Sequence, residues 1–266
     1  MATVQSLWIG AALSPIEAMC IQSFLSRGHR FDLFVYGDVD NVPDGCTRHD
    51  ARSVVDEAHI FAYRQGPGKG SVSGFSNLFR YKLLLDRGGW WVDMDVVCNG
   101  DRLPEVDVAL ARESGKYVNG AIIKFPPGHP AMAYAYAHSV AVGANMTWGE
   151  CGPRLMTKLV PMFGLEPALM PQQGFYPIHW QESVKFIDPA HCEYVEDKVR
   201  GADFVHLWNE TFRRVNYDKS VRPPRGSYLY GLLDAHDMLR GFRWEYVAES
   251  LGDRVRMRRV LLDSNS

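Results

Sequence analysis

Two aspartates, Asp93 and Asp95, stand one residue apart directly after the apolar segment 90–92. Alternate residues of an extended chain face the same way, so both carboxylates can point at one object while Met94 points into the core. Two carboxylates this close repel each other unless a positive group lies between them. Oxygen ligands suit a hard cation such as Mg²⁺ or Mn²⁺ better than zinc. The alternative, and the commoner one for an isolated Asp-x-Asp, is a solvated turn after a strand.

The residues before this pair predict a helix, a sharp turn and a short strand. Helical spacing begins at Ser73, and its apolar positions are Phe75, Leu78, Phe79 and Leu83. Gly88 and Gly89 then stop the helix, and an aromatic strand follows. Asn77 and Arg80 lie one helical turn apart in the same helix. This context favours a cation site over a solvated turn.

The start of the chain predicts a strand, a helix and a second strand. Residues 4–10 form an apolar run that ends in glycine, and residues 31–36 form another apolar run. Between them, Ser14 and Glu17 have the Ser-x-x-Glu spacing of a capping box, with a proline in the first turn. The helix that begins there keeps its apolar period to Ser26. This order is typical of a parallel α/β sheet, in which ligands bind at the carboxyl ends of the strands.

Weaker patterns complete the middle of the chain. Residues 54–63 predict a short helix, and the glycine-rich segment 66–71 predicts a flexible lead-in to the central helix. A phosphate-binding loop is rejected there because Lys69 is followed by glycine rather than by Ser or Thr. The further predicted elements are strands at 106–111 and 117–125 and a helix at 130–144.

The second half is richer in helices, loops and prolines, and no linker separates it from the first half. We therefore expect a single domain over residues 1–266. Its late elements are a strand at 202–208, a basic stretch and a helix at 228–240. The basic stretch comprises Arg213, Arg214, Lys219, Arg222 and Arg225. A short basic run at 254–259 is usually a solvated face, and its alternative role is contact with anionic lipid headgroups.

Composition argues against several classes of function. The 266 residues are 46% hydrophobic, as is usual for a globular protein with a sizeable core. A net charge of −2 argues against nucleic-acid binding. The five cysteines are odd in number and never spaced as C-x-x-C, which argues against a disulfide framework or a structural zinc site. With neither a leader pattern nor a stretch as long as a membrane span, the sequence predicts a soluble cytoplasmic protein.

Several segments, in order along the chain, resemble the DXD-containing sugar transferases of glycosyltransferase family 32, and more distantly the glucosylating domains of clostridial toxins. These segments are LWIG, SNLFRY, GGWWVDMD, VNG, GP and HLWN. The family includes α-1,4-galactosyltransferases and fungal mannosyltransferases. The resemblance implies a GT-A type α/β fold, with a Rossmann-like mixed sheet flanked by helices. It also implies a nucleotide-sugar donor, a divalent cation such as Mn²⁺ or Mg²⁺, and retention of anomeric configuration.

The resemblance assigns donor binding to residues of the first half, 1–110. Trp8 matches the first-strand tryptophan that stacks on the uracil of the donor, and a core aromatic is the alternative. Ser76 and Arg80 match the family's S-D-x-x-R pattern, whose arginine reaches the donor sugar or phosphate; the alternative for Arg80 is a surface ion pair. Asn77 replaces the usual aspartate of this pattern, and its amide can bind sugar hydroxyls but carries no charge.

The metal site implied by the resemblance joins both halves of the chain. Asp93 matches a residue that contacts ribose, sugar or metal, and Asp95 matches the ligand of the metal that bridges the diphosphate. His206 resembles a third metal ligand, with a buried core histidine as its alternative. Trp208 is expected to close over the donor or else to pack as a core aromatic. Asn119 is expected to contact the donor sugar or the acceptor, or to shape a turn.

The expected reaction is sugar transfer from a UDP-sugar to a glycan or glycolipid acceptor, which residues 111–266 bind. A cation held by Asp93, Asp95 and His206 stabilises the departing diphosphate, aided by Arg80 or a residue of the basic stretch. Because no residue is a convincing nucleophile, a front-side displacement is favoured. The alternatives are a metal-dependent phosphohydrolase and a non-catalytic sugar-binding or nucleotide-binding protein. The resemblance also implies polysaccharide biosynthesis at the inner face of a membrane.

Overall fold

The computed structural model describes residues 1–251 and 254–262, and a seven-stranded mixed sheet lies at its centre. The strands are β1 Thr3–Trp8, β2 Arg30–Val35, β3 Thr47–Asp50, β4 Gly89–Val92, β5 Val96–Cys98, β6 Ala109–Arg112, β7 Val118–Phe125, β8 Leu169–Met170, β9 Phe204–His206, β10 Val221–Arg222, β11 Trp244–Leu251 and β12 Arg254–Leu261. The helices are α1 Pro15–Leu25, α2 Ser73–Arg87, α3 Pro130–Val142, α4 Leu155–Phe163, α5 Gln172–Phe175, α6 Cys192–Val199, α7 Asn209–Arg214 and α8 Tyr228–Ala235. Short 3₁₀ turns and one π turn, Glu150–Arg154, connect them.

The central sheet has the strand order β3-β2-β1-β4-β7-β6-β8. The strands β3, β2, β1 and β4 are parallel, whereas β7 runs antiparallel to both of its neighbours, β4 and β6. The carboxyl ends of β1, β4 and β6 and the amino end of β7 therefore share one edge. The predicted α/β class, with a mixed sheet flanked by helices, is confirmed.

Apolar side chains cover both faces of this sheet. Neighbouring residues of a strand point to opposite faces, and the two tryptophans of β4 do so. The Trp90 ring lies 6.3 Å from the Phe175 ring and 5.7 Å from the Phe204 ring, on the face that α1 covers. The Trp91 ring lies 6.3 Å from the Phe79 ring, on the face that α2 and α3 cover. Because β4 is buried on both sides, the aspartates that follow it are held on a rigid support.

The helix boundaries on either side of β4 follow the predicted signals. The Ser14 backbone N–H donates to Glu17 Oε2 over 3.1 Å, as expected of a capping box at the start of α1. The helix α2 begins at Ser73 and ends at Arg87, and the next residue, Gly88, has a φ of 65°. A side chain at Gly88 would be strained by that φ and would place its Cβ 2.5 Å from Pro127. Glycine is therefore required where α2 turns into β4.

Two predicted helices differ from the structure. The helix predicted at 54–63 is wrong, because this region holds only the three-residue turn Glu57–His59. The turn ends at Ile60, whose φ of −64° and ψ of 127° are extended rather than helical. The helix predicted at 228–240 ends at Ala235, and Asp237 has a left-handed φ of 58° that a continuing helix does not allow.

Two predicted strands are shorter than expected. The strand predicted at 106–111 begins only at Ala109, and the strand predicted at 202–208 is reduced to Phe204–His206. The strand cannot continue through Trp208, because the φ of this residue, 59°, lies in the left-handed region. This φ turns the chain directly into α7.

The basic run at 254–259 lies in β12, which pairs with β11. The side chains of Arg254 and Arg256 lie outside the described part of the chain. Arg259 donates to Asp218 over 3.2 Å, and its guanidinium lies 5.6 Å from the Tyr246 ring. Lipid contact by this run stays a prediction. Among the residues described, no helix combines the length and the hydropathy needed to cross a membrane.

Candidate active site

A cavity of about 690 Å³ opens at the sheet edge where β1, β4 and β6 end and β7 begins. Trp8, Asp93, Glu113 and Asn119 come from these four strands or the residues next to them, and all line the cavity. His206 reaches the same cavity from β9, which pairs with β5. The cavity therefore lies where an α/β sheet is expected to bind its ligands.

One oxygen of Asp93 is held by two donors of the neighbouring helix and strand. Its Oδ1 accepts from Arg80 Nη2 and from Trp91 Nε1, each over 2.7 Å. The Arg80 guanidinium lies 5.0 Å from the Trp91 ring, and an added Cβ at Gly120 would stand 2.8 Å from Arg80 Nη1. Arg80 is thus enclosed rather than exposed on the helix surface. Asp93 Oδ2 meets no donor within the described ranges and remains available to a ligand.

Asp95 is held by residues more than a hundred positions away. Its Oδ1 lies 3.3 Å from His206 Nε2, and its Oδ2 accepts from the Asn209 N–H over 2.8 Å. The Asp95 backbone carbonyl also accepts from the Leu207 N–H over 2.9 Å. Pairing of β5 with β9 brings these groups together, since Val96 stands opposite His206.

The two aspartates and His206 form one cluster. Each offers a ligand atom, and the three atoms lie within 4.8 Å of one another. The segment is a turn rather than the expected extended strand, because the Val96 N–H donates to the Asp93 carbonyl over 3.1 Å. The carboxylates nevertheless converge while Met94 packs in the core, as predicted. Two carboxylates and one imidazole fit a divalent cation such as Mn²⁺.

Burial and charge act in opposite directions on the Asp95–His206 pair. Burial alone would raise the pKa of Asp95, but His206 and the Asn209 N–H hold it below its usual value. Burial alone would lower the pKa of His206, but Asp95, Asp93 and Glu113 raise it above its ordinary value. A cation that takes His206 as a ligand therefore competes with a proton for the imidazole.

The predicted donor-binding residues of the first half also line the cavity. The indole nitrogen of Trp8 is buried and has no hydrogen-bond partner in the described part of the chain. Ser76 and Asn77 lie on the cavity-facing side of α2, and Asn77 is 9% exposed. An added Cβ at Gly152 would stand 3.2 Å from Asn77 Nδ2. Contact of these residues with a donor stays a prediction.

Trp208 and Asn119 have partners within the protein. The Trp208 indole N–H donates to the Ile178 carbonyl over 3.0 Å, and its ring centroid lies 4.0 Å from that of His206. Trp208 is therefore packed against its neighbours here, which agrees with the second expectation, that of a core aromatic. Asn119 Oδ1 accepts from the Ala121 N–H over 2.7 Å, and its amide donates to Glu113. Both residues shape the cavity wall, and their contact with a donor or acceptor stays a prediction.

Most cations of the basic stretch already pair with acids of the protein, so fewer of them are free to meet a ligand than the composition indicates. Arg213 and Arg214 pair with Glu210, and Arg222 and Arg225 pair with Glu245. Lys219 pairs with Glu17 inside the cavity, and its ammonium lies 5.9 Å from the Trp8 ring. Within this stretch, Arg214 and Lys219 line the cavity.

Sequence reasoning missed two buried acids in the cavity wall, Glu17 and Glu113. Glu17 was expected only to cap α1, yet it also pairs with Lys219 and accepts from Asn209 Nδ2 over 2.9 Å. Glu113 directly follows β6, just as Asp93 directly follows β4. An acid at the end of a predicted strand was the signal that could have identified Glu113.

No protein-family profile matches the chain. The chain is similar to the lactosylceramide 4-alpha-galactosyltransferase of Homo sapiens, with 25% identity over 158 residues, which cover 55% of this chain and 44% of that protein. The alpha-1,4-N-acetylglucosaminyltransferase of Homo sapiens is 25% identical over 147 residues, which cover 50% and 42%. The similarity thus spans less than half the length of these relatives. They confirm the resemblance to α-1,4-galactosyltransferases predicted from the sequence.

Solved structures overlap with this chain only in part. The PaToxG glycosyltransferase has a TM-score of 0.47 at 13% identity, over 62% of this chain and 71% of that one. The glycosyltransferase GlyE of Streptococcus pneumoniae has a TM-score of 0.41 at 14% identity, over 77% of this chain and 54% of that one. These scores are too low to support an argument about the site.

Proposed function

We propose that this protein is a glycosyltransferase that requires a divalent cation, Mn²⁺ or Mg²⁺, and moves a sugar from a UDP-sugar to a glycan or glycolipid acceptor. The convergence of Asp93, Asp95 and His206 in one cavity carries the proposal. The names of the relatives support the same class of reaction. The GT-A type assigned from the sequence belongs to this proposal.

The order of groups along the sheet edge supports one orientation of the donor in the cavity. Trp8 ends β1, and Asp93 follows the neighbouring strand β4. We assign the uracil to Trp8 and the diphosphate to the Asp93–Asp95–His206 cluster. Lys219 pairs with Glu17 near the Trp8 ring. Burial would raise the pKa of Asp95, and Lys219, after His206 and the Asn209 N–H, helps to lower it. Lys219 is therefore the residue of the basic stretch best placed to meet the diphosphate.

The protein groups have separate tasks in this proposal. Asp93, Asp95 and His206 hold the cation, which when bound supplies Lewis-acid stabilisation of the leaving diphosphate. Arg80 and Trp91 fix one oxygen of Asp93 and leave the other for a ligand. A group fixed before the reaction needs no reorganisation while charge develops, which is why such positioning favours transfer.

We further propose that transfer retains the anomeric configuration. Both kinds of relative are named for α linkages, and the sugar of UDP-galactose is itself α-linked, so an α product corresponds to retention. The anomeric proton of the first-formed product, followed by NMR, tests this part separately. A cytoplasmic location, at the inner face of a membrane where polysaccharides are built, is also proposed and rests on the resemblance alone.

Thermal unfolding tests the donor and cation together. We expect UDP with Mn²⁺ at about a hundred times the dissociation constant to raise the Tm by roughly 5 °C. Mn²⁺ alone should raise the Tm less, and Asp95→Ala should lose the UDP-dependent shift. The matched control is Asp197→Ala, which removes an exposed aspartate remote from the cavity.

The same protein preparation distinguishes the competing functions. Slow hydrolysis of a UDP-sugar without an acceptor contradicts a non-catalytic binding protein. Cleavage of simple phosphate esters, with no action on any UDP-sugar, contradicts the transferase and favours a phosphohydrolase. A wild-type Tm that UDP with Mn²⁺ leaves unchanged contradicts the proposal as a whole.

A further inference from the structure

Glu113 is a buried carboxylate in the cavity wall that takes no part in the Asp93–Asp95–His206 cluster. It is 8% exposed. Its backbone N–H donates to the Tyr117 carbonyl over 2.9 Å, and its carbonyl accepts from Gln172 Nε2 over 3.3 Å. The backbone is therefore fixed on both sides, which limits where the carboxylate can go.

Only one oxygen of this carboxylate has a partner within the described ranges. Glu113 Oε2 accepts from the Asn119 amide, whereas no described residue donates to Oε1. Burial raises the pKa of Glu113, and the hydrogen bond from Asn119 opposes that rise. Oε1 is not fully buried and is reached from the cavity, so it can accept a hydrogen bond from a ligand. The unsatisfied Oε1 is suited to a ligand hydroxyl.

The strand order separates Glu113 from the nucleotide end of the cavity. Part of the strand order of the sheet is β1-β4-β7-β6, and Glu113 follows β6. It is therefore two strands from Asp93, which follows β4, and three strands from Trp8 on β1. At the usual strand spacing these steps are about 10 Å and about 14 Å. A donor with its base at Trp8 and its phosphates at the cluster has its sugar directed toward Glu113. The acceptor must approach from beyond that sugar.

An exposed aromatic ring also lines the cavity. Trp180 is 39% exposed, and its ring lies 5.4 Å from the His179 ring. The segment that leads to Trp180 passes Glu113, since Gln172 donates to the Glu113 carbonyl. After burial, Asn119 and His206, His179 also affects the pKa of the Glu113 carboxyl. An apolar ring beside a polar group that fixes orientation is the usual composition of a small-molecule site.

We infer that Glu113 and Trp180 form the subsite that binds the acceptor sugar. Glu113 Oε1 accepts a hydrogen bond from an acceptor hydroxyl, and the Trp180 ring packs against the apolar face of the same sugar. This inference rests on the proposed function, because it takes the position of the donor from that proposal.

Glycan binding and nucleotide binding are measured separately to test the subsite. Glu113→Gln and Trp180→Ala are compared with wild type on a panel of immobilised neutral oligosaccharides, with the protein saturated with Mn²⁺ and UDP. The matched controls are Glu166→Gln, an exposed glutamate, and Trp244→Ala, a tryptophan of similar exposure (43%) outside the cavity. Calorimetry gives the affinity for UDP with Mn²⁺, and far-UV circular dichroism confirms that each variant is folded.

We expect each cavity variant to raise the dissociation constant for glycans about tenfold or more. Glu113→Gln loses a hydrogen bond to a charged group, and Trp180→Ala loses the contact area of the ring. Its affinity for UDP should stay within about twofold of wild type, and the controls should bind glycans normally. Equal glycan binding by Glu113→Gln and wild type overturns the inference, and so does an equal loss of UDP affinity. A wild type that binds UDP but no glycan overturns the subsite alone, whereas one that binds neither also contradicts the proposed function.

Discussion

Asp93 and Asp95 are one residue apart, yet different parts of the chain hold them. Asp93 is fixed by Arg80 and Trp91, which belong to the same helix–turn–strand unit. Asp95 is fixed by His206 and Asn209, which come from β9 and the start of α7. The pair is thus the point where a local unit and a distant one meet, and the cation of the proposed function would join both.

The partners of the two carboxylates also differ in chemistry. Asp93 pairs with a guanidinium, a group that is effectively always charged in proteins. His206 can lose its charge, so the partner of Asp95 depends on pH. We call Asp93 with Arg80 and Trp91 the local side, and Asp95 with its two partners the distant side. We expect the partners on the local side mainly to stabilise the fold and to position Asp93, and the distant side to control cation binding. The predictions below test this division.

The largest effect is expected from Asp95→Asn. The amide keeps the shape of the side chain but lacks the charge that a hard cation requires, so Mn²⁺ affinity should fall about a hundredfold or more. Isothermal calorimetry with Mn²⁺ in the presence of UDP measures the change. Asp197→Asn is the control, because Asp197 is an exposed aspartate that pairs only loosely with Arg200. If Asp95→Asn bound Mn²⁺ as tightly as wild type, the distant side would have no role in cation binding.

A smaller effect on cation affinity, but a clear effect on stability, is expected from Arg80→Lys. Lysine cannot both donate to Asp93 and stack on Trp91 as a planar guanidinium does. We expect the free energy of unfolding in urea to fall by about 2 kcal/mol, since the Arg80 side chain is only 5% exposed. The exposed Arg52→Lys is the control, and its unfolding midpoint in urea should stay close to that of wild type. Equal losses in the two variants would contradict a structural task for Arg80.

The pH dependence of Mn²⁺ binding distinguishes the two sides further. Asp95, Asp93 and Glu113 raise the pKa of His206 although burial opposes them, so His206 keeps its proton to higher pH than an ordinary histidine. Binding requires the neutral imidazole, so affinity should be full above that pKa. Below it, affinity should fall about tenfold per pH unit. Calorimetry from pH 5 to pH 8 checks the slope, and His206→Gln should flatten it. An equal slope in that variant would assign the proton to another group.

The local unit was more predictable from the sequence than the distant one. Helical spacing from Ser73, the paired glycines and the aromatic strand predicted the elements that carry Arg80 and Asp93. The direct contact between these two side chains was not predicted, because the alternative of a surface ion pair fits the same spacing. Burial of Arg80 against Trp91 and Gly120 is a property of packing, which periodicity does not contain.

Prediction of the distant unit depended on the resemblance, and its geometry became known only from the fold. His206 was proposed as a ligand only because its segment resembles the family, since a lone histidine in a strand is usually a core residue. Its position opposite Val96 follows from the pairing of β5 with β9, two strands that are far apart in the chain. Glu17 and Glu113 were missed for the same reason: their roles depend on partners that only tertiary structure brings near. Local propensity carries no information about such partners.

The smallest effect is expected from Asn77→Asp, which restores the aspartate that the resembling family has at this position. Asn77 lies on α2, on the local side, and is 9% exposed in the cavity wall. A carboxylate accepts hydrogen bonds from sugar hydroxyls more strongly than an amide does, so the ranking of UDP-sugars by hydrolysis rate should change by up to about tenfold. Mn²⁺ affinity should stay within about twofold of wild type, because the carboxylates of the cluster are unaltered. The exposed Asn145→Asp should change neither quantity. A change in cation affinity without a change in sugar ranking would show that the local side controls the cation as well, and the division between the two sides would then be wrong.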